Sequence, residues 1–275
     1  MGLVMTLLAL PFPAIDPVAL SIGPLELHWY ALAYLAGFIV GWQYAMRLAD
    51  RGPDRPNRQD MDAFLTWAII AVILGGRLGF VLFYNVAYYI ENPVEILFTW
   101  QGGMSFHGGL LGVITAVFAF SAARKIDPLA VGDIIAVVAP IGIFLGRIAN
   151  FVNGELYGRV TDAPWGVIFP AGGPEPRHPS QLYEAVAEGL ILFIILFVLA
   201  RRQRIRQRPG VLAGVFLVGY GLGRFLVEFV REPDPQLGFL WLGATMGQLL
   251  CLPMILGGAA LTVWAWRRGP QATAA

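Results

Sequence analysis

Residues 146–159 read GRIANFVNGELYGR, and they place Arg147 and Asn150 at the end of an apolar run that begins near Val131. A guanidinium at the centre of a membrane helix costs about 2.5–3.5 kcal/mol on insertion scales. Such a charge persists only where an anion or a buried partner compensates it. This stretch therefore predicts a chain that crosses a bilayer and handles a phosphate or a carboxylate inside it.

The composition of the whole chain indicates the same class of protein. Its 275 residues are 57% hydrophobic and only 13% charged, and the mean hydropathy is +0.65. Soluble domains carry about 25% charged residues, so the chain is predicted to be an integral membrane protein. The net charge of +1 does not indicate a nucleic acid as a partner.

Few residues of the chain are suited to binding a metal. The single cysteine, Cys251, lies in an apolar run and is predicted to be a small buried hydrophobe. His28, His107 and His178 are the only histidines, and neither an HExxH nor a CxxC motif occurs. No metal and no cofactor are therefore predicted.

Seven apolar segments are long enough to cross about 30 Å of hydrocarbon at roughly 20 residues each. They lie near residues 28–46, 62–85, 106–123, 131–151, 182–200, 211–229 and 241–265. The predicted fold class is thus all-α and integral to the membrane, with seven transmembrane helices. Residues 1–275 are expected to form a single polytopic membrane domain.

The basic residues predict how the chain is oriented. Four of them lie in 47–58, two at 124–125, five in 201–208 and two at 267–268, which puts 13 of 19 on one side of a seven-span chain. The positive-inside rule makes this side and the C-terminus cytoplasmic, and it puts the N-terminus outside. The segments near 86–105, 155–181 and 231–240 are then extracytoplasmic arms or loops.

Three further arginines, Arg77, Arg147 and Arg224, fall inside the predicted spans. At 1.5 Å per residue they lie about 20–24 Å from the cytoplasmic ends of their helices. Tyr30 and His107 stand near the outer ends of two other spans. Chemically capable residues from five helices are therefore expected at one depth, in the outer half of the membrane.

Arg147, Asn150 and Gly154 are spaced i, i+3 and i+7, which predicts one stripe along a helix. The planar guanidinium matches a phosphate, and the neighbouring amide can bond to the remaining phosphate oxygens. The alternative is a structural arginine paired with the carboxylate of Glu155, Glu184 or Glu188.

Tyr220, Arg224, Glu228 and Arg231 form a second predicted stripe. Arg224 and Glu228 could neutralise each other as an i,i+4 pair. Because the intramembrane arginines outnumber the carboxylates expected at their depth, an anionic ligand is predicted to balance the surplus. Arg77 is either a further anion ligand or the partner of an acid on a neighbouring helix.

His107 is followed by two glycines, which leave its imidazole little steric hindrance. An imidazole titrates near neutral pH, so His107 is the candidate proton acceptor, against the alternative of a structural histidine. Asp133, Glu184 and Glu188 are interpreted as structural counter-charges.

Several sequence blocks together resemble one family. GRIANFVNGELYGR is similar to the signature of prolipoprotein diacylglyceryl transferases. The likeness extends, in the family's order, to HWY at 28–30, MSFHGG at 104–109, HPSQLYE at 178–184 and RFLVEFVREPD at 224–234. The resemblance implies a seven-helix, multi-pass enzyme of the bacterial cytoplasmic (inner) membrane, with its active site toward the extracytoplasmic side.

The resemblance also implies a reaction. The enzyme would move the diacylglyceryl group of phosphatidylglycerol onto the lipobox cysteine of a preprolipoprotein and release glycerol phosphate. The expected partners are phosphatidylglycerol, the preprolipoprotein signal peptide with its lipobox cysteine, and membrane lipids. The nucleophile is a thiolate of the substrate, so the enzyme needs no cysteine of its own.

Three candidate residues are expected to act at the reacting groups. Arg147 and Arg224 bind the phosphate and stabilise the departing glycerol phosphate, where developing negative charge calls for guanidinium groups. His107 is the candidate base that takes the thiol proton.

The other candidates are expected to bind or orient. Asn150 and Tyr30 orient the headgroup, Glu155 and Gly158 shape the outer mouth of the site, and Glu228 orients Arg224. These roles follow from the resemblance and from the spacing within each block.

Two other functional classes are alternatives on the residues alone. A transporter or flippase for anionic lipids predicts charges along the full membrane depth and inverted repeats, whereas this sequence has its charges at one expected depth and no clear repeat. An intramembrane protease needs a catalytic serine or a pair of aspartates on separate helices.

Overall fold

The structure is a computed structural model that describes residues 9–13, 15–23, 25–51, 56–233, 238–240 and 243–270. Its helices are α1 (Trp29–Ala49), α2 (Arg58–Tyr84), α3 (Val86–Glu91), α4 (Phe106–Arg124), α5 (Pro128–Val152), α6 (Ser180–Ala200), α7 (Gln203–Arg206), α8 (Val211–Val227) and α9 (Met246–Arg268). Two short 3₁₀ helices, Pro93–Leu97 and Thr99–Gln101, precede α4.

Each of the seven predicted apolar segments contains a helix among the described residues. Five of these helices, α2, α4, α5, α6 and α9, are long and apolar enough to cross a membrane. The helix α8 is apolar but has only 17 residues, and α1 has 21. The prediction of a mainly helical membrane protein is therefore confirmed, and the number of seven spans stays a prediction.

Among the described residues, four short strands accompany the helices, and the sequence did not predict them. They are β1 (Leu10–Pro11), β2 (Val18–Ile22), β3 (Leu25–His28) and β4 (Val167–Ile168). The strands β2 and β3 form an antiparallel hairpin that leads directly into α1, and β1 pairs in parallel with β4.

Some positions named in the sequence predictions lie outside the described residues, namely Arg55, 234–237 and 241–242.

The described residues fall into two compact units. One unit takes its residues from Met1–Tyr44 and Ile135–Gln271, and the other from Ala45–Ile134. The first unit therefore holds most of α1, most of α5 and the helices from α6 onward. The second holds α2, α3 and α4.

Local capping interactions explain where the long helices of the second unit begin. Asn57 accepts a hydrogen bond from the Asp60 backbone N–H at 2.9 Å, and the Asp60 carboxylate accepts from the Asn57 backbone N–H at 3.1 Å. This reciprocal capping box satisfies two donors at the start of α2. The Ser105 hydroxyl accepts from the Gly108 N–H at 3.2 Å and so begins α4.

Arg77 is held by backbone carbonyls of the second unit. Its guanidinium donates to the carbonyl oxygens of Glu95, Ile96, Gly102 and Gly103 at 2.5–3.1 Å, and the residue is only 4% exposed. Neither predicted role, anion ligand or partner of an acid, describes these contacts. Arg77 instead fixes the segment of 3₁₀ helices against α2.

The helices α2 and α4 touch through glycines that allow their backbones to approach closely. A methyl group placed on Gly108 would lie 2.8 Å from the Gly79 Cα and closer still to the Gly75 carbonyl oxygen. Gly75 and Gly79, like Gly108 and Gly112, are four residues apart. Pairs of small residues at this spacing are typical of packed membrane helices.

Replacing Gly108 with alanine is therefore expected to destabilise the protein by about 1–3 kcal/mol, because the backbone of α2 cannot move aside locally. The measurement is thermal unfolding in detergent. The matched control is Gly132→Ala, since a methyl group on Gly132 meets no atom within 4 Å. Equal melting temperatures for the two variants would contradict the proposed packing.

Candidate active site

The signature stretch begins on α5 and continues past its end. The helix ends at Val152, so Arg147 and Asn150 lie on its last turns. Gly154 has φ +66° and stands in a turn. The prediction that Gly154 continues the helical stripe is therefore wrong, because the chain leaves the helix two residues earlier.

The second predicted stripe is also shorter than expected. The helix α8 ends at Val227, with Glu228 as its C-cap. Arg231 is therefore not on the helix, and it forms an antiparallel bridge with Gly158 of the signature stretch. The bridge links the chain after α8 to the chain after α5, within the same unit.

Glu184 on α6 lies at the centre of the candidate site. Its Oε2 is 3.1 Å from Nε of Arg147, and its Oε1 is 2.8 Å from Nη1 of Arg231. Arg224 also donates a hydrogen bond to Oε1 through Nη1. A single carboxylate thus meets guanidinium groups from three separate parts of the chain.

Two more carboxylates complete this set of charges. Glu228 Oε2 is 2.8 Å from Nη2 of Arg224, and Glu188 Oε2 is 3.9 Å from Nη2 of Arg147. The alternative of paired arginines is thus confirmed for Glu184 and Glu188 but not for Glu155. Buried carboxylates from α6 and the end of α8 therefore meet both Arg147 and Arg224, and the prediction that an anionic ligand balances the arginines stays a prediction.

The guanidinium groups keep an open surface although their partners are buried. The side chains of Arg147, Arg224 and Arg231 are 20%, 17% and 17% exposed, whereas that of Glu184 is 0% exposed. The carboxylates therefore hold the arginines from the buried side. The exposed part of each guanidinium can still donate to an anion.

Arg159 adds a fourth positive charge to those of Arg147, Arg224 and Arg231. The sequence did not predict it as a site residue. It donates to the backbone carbonyls of Arg231 at 2.8 Å and Glu228 at 3.3 Å. With four guanidinium groups beside three carboxylates, the formal charge of the cluster is positive. The one signal for this role in the sequence was that Arg159 ends the GRIANFVNGELYGR stretch.

The predicted substrate-binding residues Asn150 and Glu155 contact each other. Asn150 Nδ2 donates to Glu155 Oε1 at 2.9 Å, and Asn153 Nδ2 donates to the same oxygen at 3.3 Å. The residue after Glu155, Leu156, has a backbone φ of +58°, which residues other than glycine rarely adopt. The Ser180 hydroxyl donates to the Leu156 carbonyl at 3.0 Å and so helps to hold this turn.

Gly158 lies where two chain segments come close. Its N–H donates to the His178 carbonyl at 2.8 Å, and a methyl group on Gly158 would lie 2.8 Å from His178 Cβ. The Arg159 N–H donates to the Val230 carbonyl at 2.8 Å. Close packing therefore explains why residue 158 is a glycine. Its role in shaping the mouth of the site stays a prediction.

Tyr30 lies in the first turn of α1, and its hydroxyl donates to the Tyr34 hydroxyl at 3.2 Å. Tyr34 in turn stands beside Gly146, where a methyl group would lie 3.6 Å from its hydroxyl oxygen. These contacts connect Tyr30 with the residue that precedes Arg147.

His107 is the second residue of α4 and belongs to the other compact unit. It is exposed, and its ring meets that of Phe106 edge-on at 5.6 Å. The structure thus brings Arg147, Arg224 and Glu228 together. That His107 and Arg77 lie at the same membrane depth as these residues stays a prediction.

His178, which precedes α6, lies in the same unit as the arginines around Glu184. His178 Nδ1 is 3.2 Å from the Tyr183 hydroxyl, which also accepts a hydrogen bond from Trp165 Nε1 at 2.7 Å. Burial lowers the pKa of His178, because its neutral form is favoured away from water. The sequence predicted no role for this residue.

Comparison with known proteins shows the family of the chain. The family model described as prolipoprotein diacylglyceryl transferase matches residues 17–264. A protein from Paramagnetospirillum magneticum, named phosphatidylglycerol–prolipoprotein diacylglyceryl transferase, is 59% identical over 265 residues, covering 96% of this chain and 98% of its own. One of the same name from Azospirillum brasilense is 57% identical over 264 residues, covering 95% and 98%.

These matches cover nearly the whole chain at high identity. The chain therefore belongs to the prolipoprotein diacylglyceryl transferase family, and the resemblance inferred from its sequence blocks is confirmed.

Proposed function

We propose that this protein is a transferase that moves the diacylglyceryl group of phosphatidylglycerol to the lipobox cysteine of preprolipoproteins. The observation that carries the proposal is the group of partly exposed guanidiniums of Arg147, Arg224 and Arg231 around the buried Glu184. The planar fork of donors on a guanidinium matches the oxygens of a phosphate. Membership of the family supplies the donor lipid and the protein acceptor.

The reaction forms a thioether and breaks one carbon–oxygen bond. The cysteine sulfur attacks the glyceryl carbon that carries the phosphate, and the electron pair of the breaking bond leaves with glycerol phosphate. The thiol proton passes to a base. Guanidinium donors aimed at the phosphate stabilise the charge that develops on this leaving group.

Each residue has a proposed role in this reaction. Arg147 and Arg224 bind the phosphate and stabilise the leaving group, and His107 takes the thiol proton. Glu228 holds Arg224, to which it is bound at 2.8 Å. The substrate is positioned by Asn150, Tyr30, Glu155 and Gly158.

The arrangement in the membrane is proposed on the basis of helix lengths and basic clusters. Seven spans would form a single domain over residues 1–275 of the inner membrane, with the N-terminus outside and the C-terminus in the cytoplasm. The segments 86–105, 155–181 and 231–240 would then be extracytoplasmic, together with the active site. Membrane lipids would surround the spans.

The test is incubation of the purified protein with phosphatidylglycerol and a peptide that carries a lipobox cysteine. We expect the peptide to gain the mass of one diacylglyceryl group and glycerol phosphate to appear in equal amount. A peptide with serine in place of cysteine is the control, because a hydroxyl is a far weaker nucleophile than a thiolate. Cleavage of the peptide, or no modification, would contradict the proposal.

A further inference from the structure

The carboxylate of Glu228 lies against the first turn of α9. The Thr245 hydroxyl, at the N-cap of this helix, donates to Glu228 Oε1 at 3.0 Å. The same hydroxyl accepts from the Gln248 N–H at 3.3 Å, and the Gln248 side chain accepts from the Thr245 N–H at 3.1 Å. A capping box thus orients the hydroxyl that binds Glu228.

Gly247, the second residue of α9, provides the space for this carboxylate. A methyl group on Gly247 would lie 2.8 Å from Cδ and Oε1 of Glu228 and 2.9 Å from Oε2. All three distances are shorter than a methyl group tolerates, so any side chain here would displace the carboxylate. The N-terminus of a helix also attracts negative charge, which favours the carboxylate in this place.

The same carboxylate holds Arg224. Glu228 Oε2 is 2.8 Å from Arg224 Nη2, while Nη1 of the same guanidinium donates to Glu184. Glu228 is 4% exposed, so a displaced carboxylate has little free space in which to find an equivalent position. The position of Arg224 therefore depends on whether residue 247 has a side chain.

We propose that Gly247 is a positioning residue for diacylglyceryl transfer: it lets Glu228 rest on the N-terminus of α9 and thereby sets the guanidinium of Arg224. This inference rests on the proposed function, in which Arg224 acts on the phosphate. Gly247 itself is not expected to touch the substrate.

The test compares Gly247→Ala with Gly257→Ala in the same helix. A methyl group on Gly257 meets no atom within 4 Å, so the control has the same chemical change without the displacement. We expect Gly247→Ala to lose on the order of 10- to 100-fold in kcat, because an error of about 1 Å in a catalytic group can cost 100-fold. The KM for phosphatidylglycerol and the melting temperature in detergent should change little, since only a side chain has to move.

A second pair of variants tests the route through Glu228. Glu228→Asp withdraws the carboxylate by about 1.5 Å, one carbon–carbon bond, so it no longer touches residue 247. We expect Glu228→Asp to lower kcat by itself and Gly247→Ala to cause almost no further loss in that background. Such non-additivity is the signature of two residues acting through one contact.

Three outcomes would overturn the inference. Gly247→Ala could keep the kcat of Gly257→Ala, it could lose kcat only in proportion to a fall in melting temperature, or its effect could multiply with that of Glu228→Asp. A wild-type protein without transferase activity would instead contradict the proposed function, so the two failures are distinguishable.

Discussion

Arg224→Ala and Arg147→Ala are each expected to lower the rate of diacylglyceryl transfer by roughly 10²–10³-fold, the loss that follows removal of one donor to a developing oxyanion. Both guanidiniums are held by Glu184 and are partly exposed, which suits them to bind the leaving phosphate. The measurement is release of glycerol phosphate from phosphatidylglycerol by the purified variants. Lysine should not restore Arg224, because one ammonium cannot reproduce the planar fork that meets Glu184 and Glu228.

The control for these variants is Arg201→Ala. Arg201 is exposed at the end of α6, where its guanidinium lies 4.9 Å from the centre of the Phe197 ring. Its removal takes away one positive charge without touching the arginines around Glu184, so transfer should stay close to that of the wild type. Near-normal turnover in both Arg147→Ala and Arg224→Ala would rule out the proposed binding of the phosphate.

Glu184→Ala is expected to destabilise the protein by about 3–5 kcal/mol, because removing one partner of a buried ion pair leaves uncompensated charge. Here the loss affects Arg147, Arg224 and Arg231 together. The expected result is a melting temperature in detergent lower by roughly 10 °C, together with loss of transfer. Glu184→Gln should also lower the melting temperature and the rate of transfer, since an amide cannot supply the negative charge.

Glu232→Ala provides the comparison for Glu184. Glu232 also pairs with an arginine, with Oε2 2.9 Å from Nη1 of Arg177, but its side chain is 47% exposed. Exposed ion pairs contribute about 0–1 kcal/mol, so this variant should melt near the wild type. If Glu184→Ala and Glu232→Ala melted alike, Glu184 would not hold the three arginines as the structure indicates.

The helices and the family could be predicted from the sequence, because both depend on local patterns. Apolar runs of about 20 residues indicate membrane helices wherever they occur, and a helix lies in each of the seven segments. The ends of the helices were predicted less well. Gly154 and Arg231 were assigned to helical stripes, yet α5 ends at Val152 and α8 at Val227. Gly154 lies instead in a turn with positive φ, and Arg231 forms a bridge with Gly158.

The sequence offered Glu228 as the local i,i+4 partner of Arg224 and offered Glu155, Glu184 and Glu188 as alternative partners of Arg147. It could not decide among the alternatives, because the carboxylates that meet Arg147 are distant in sequence. Glu184 lies 37 residues from Arg147 and 40 from Arg224, and no local pattern indicates which of several carboxylates meets which guanidinium. One signal was available: Glu184 and Glu188 lie within the predicted apolar segment 182–200, where an unpaired carboxylate is as costly as an unpaired arginine. The role of Arg77 had no such signal, since its partners are backbone carbonyls.

The middle of α6 departs from α-helical geometry in a way that limits how this family can vary. Residues Ala185–Ile191 form a π-helix, which holds more residues per turn than an α-helix. It separates Glu184 from Leu192 and Leu196, which are 1% and 0% exposed. Each residue of an α-helix advances about 100° around the axis, so deleting one residue here would rotate either the acid or the leucines away from their neighbours. Insertions and deletions in this turn should therefore be rare across evolution, whereas substitutions should be tolerated at exposed positions such as Val186 and Leu190.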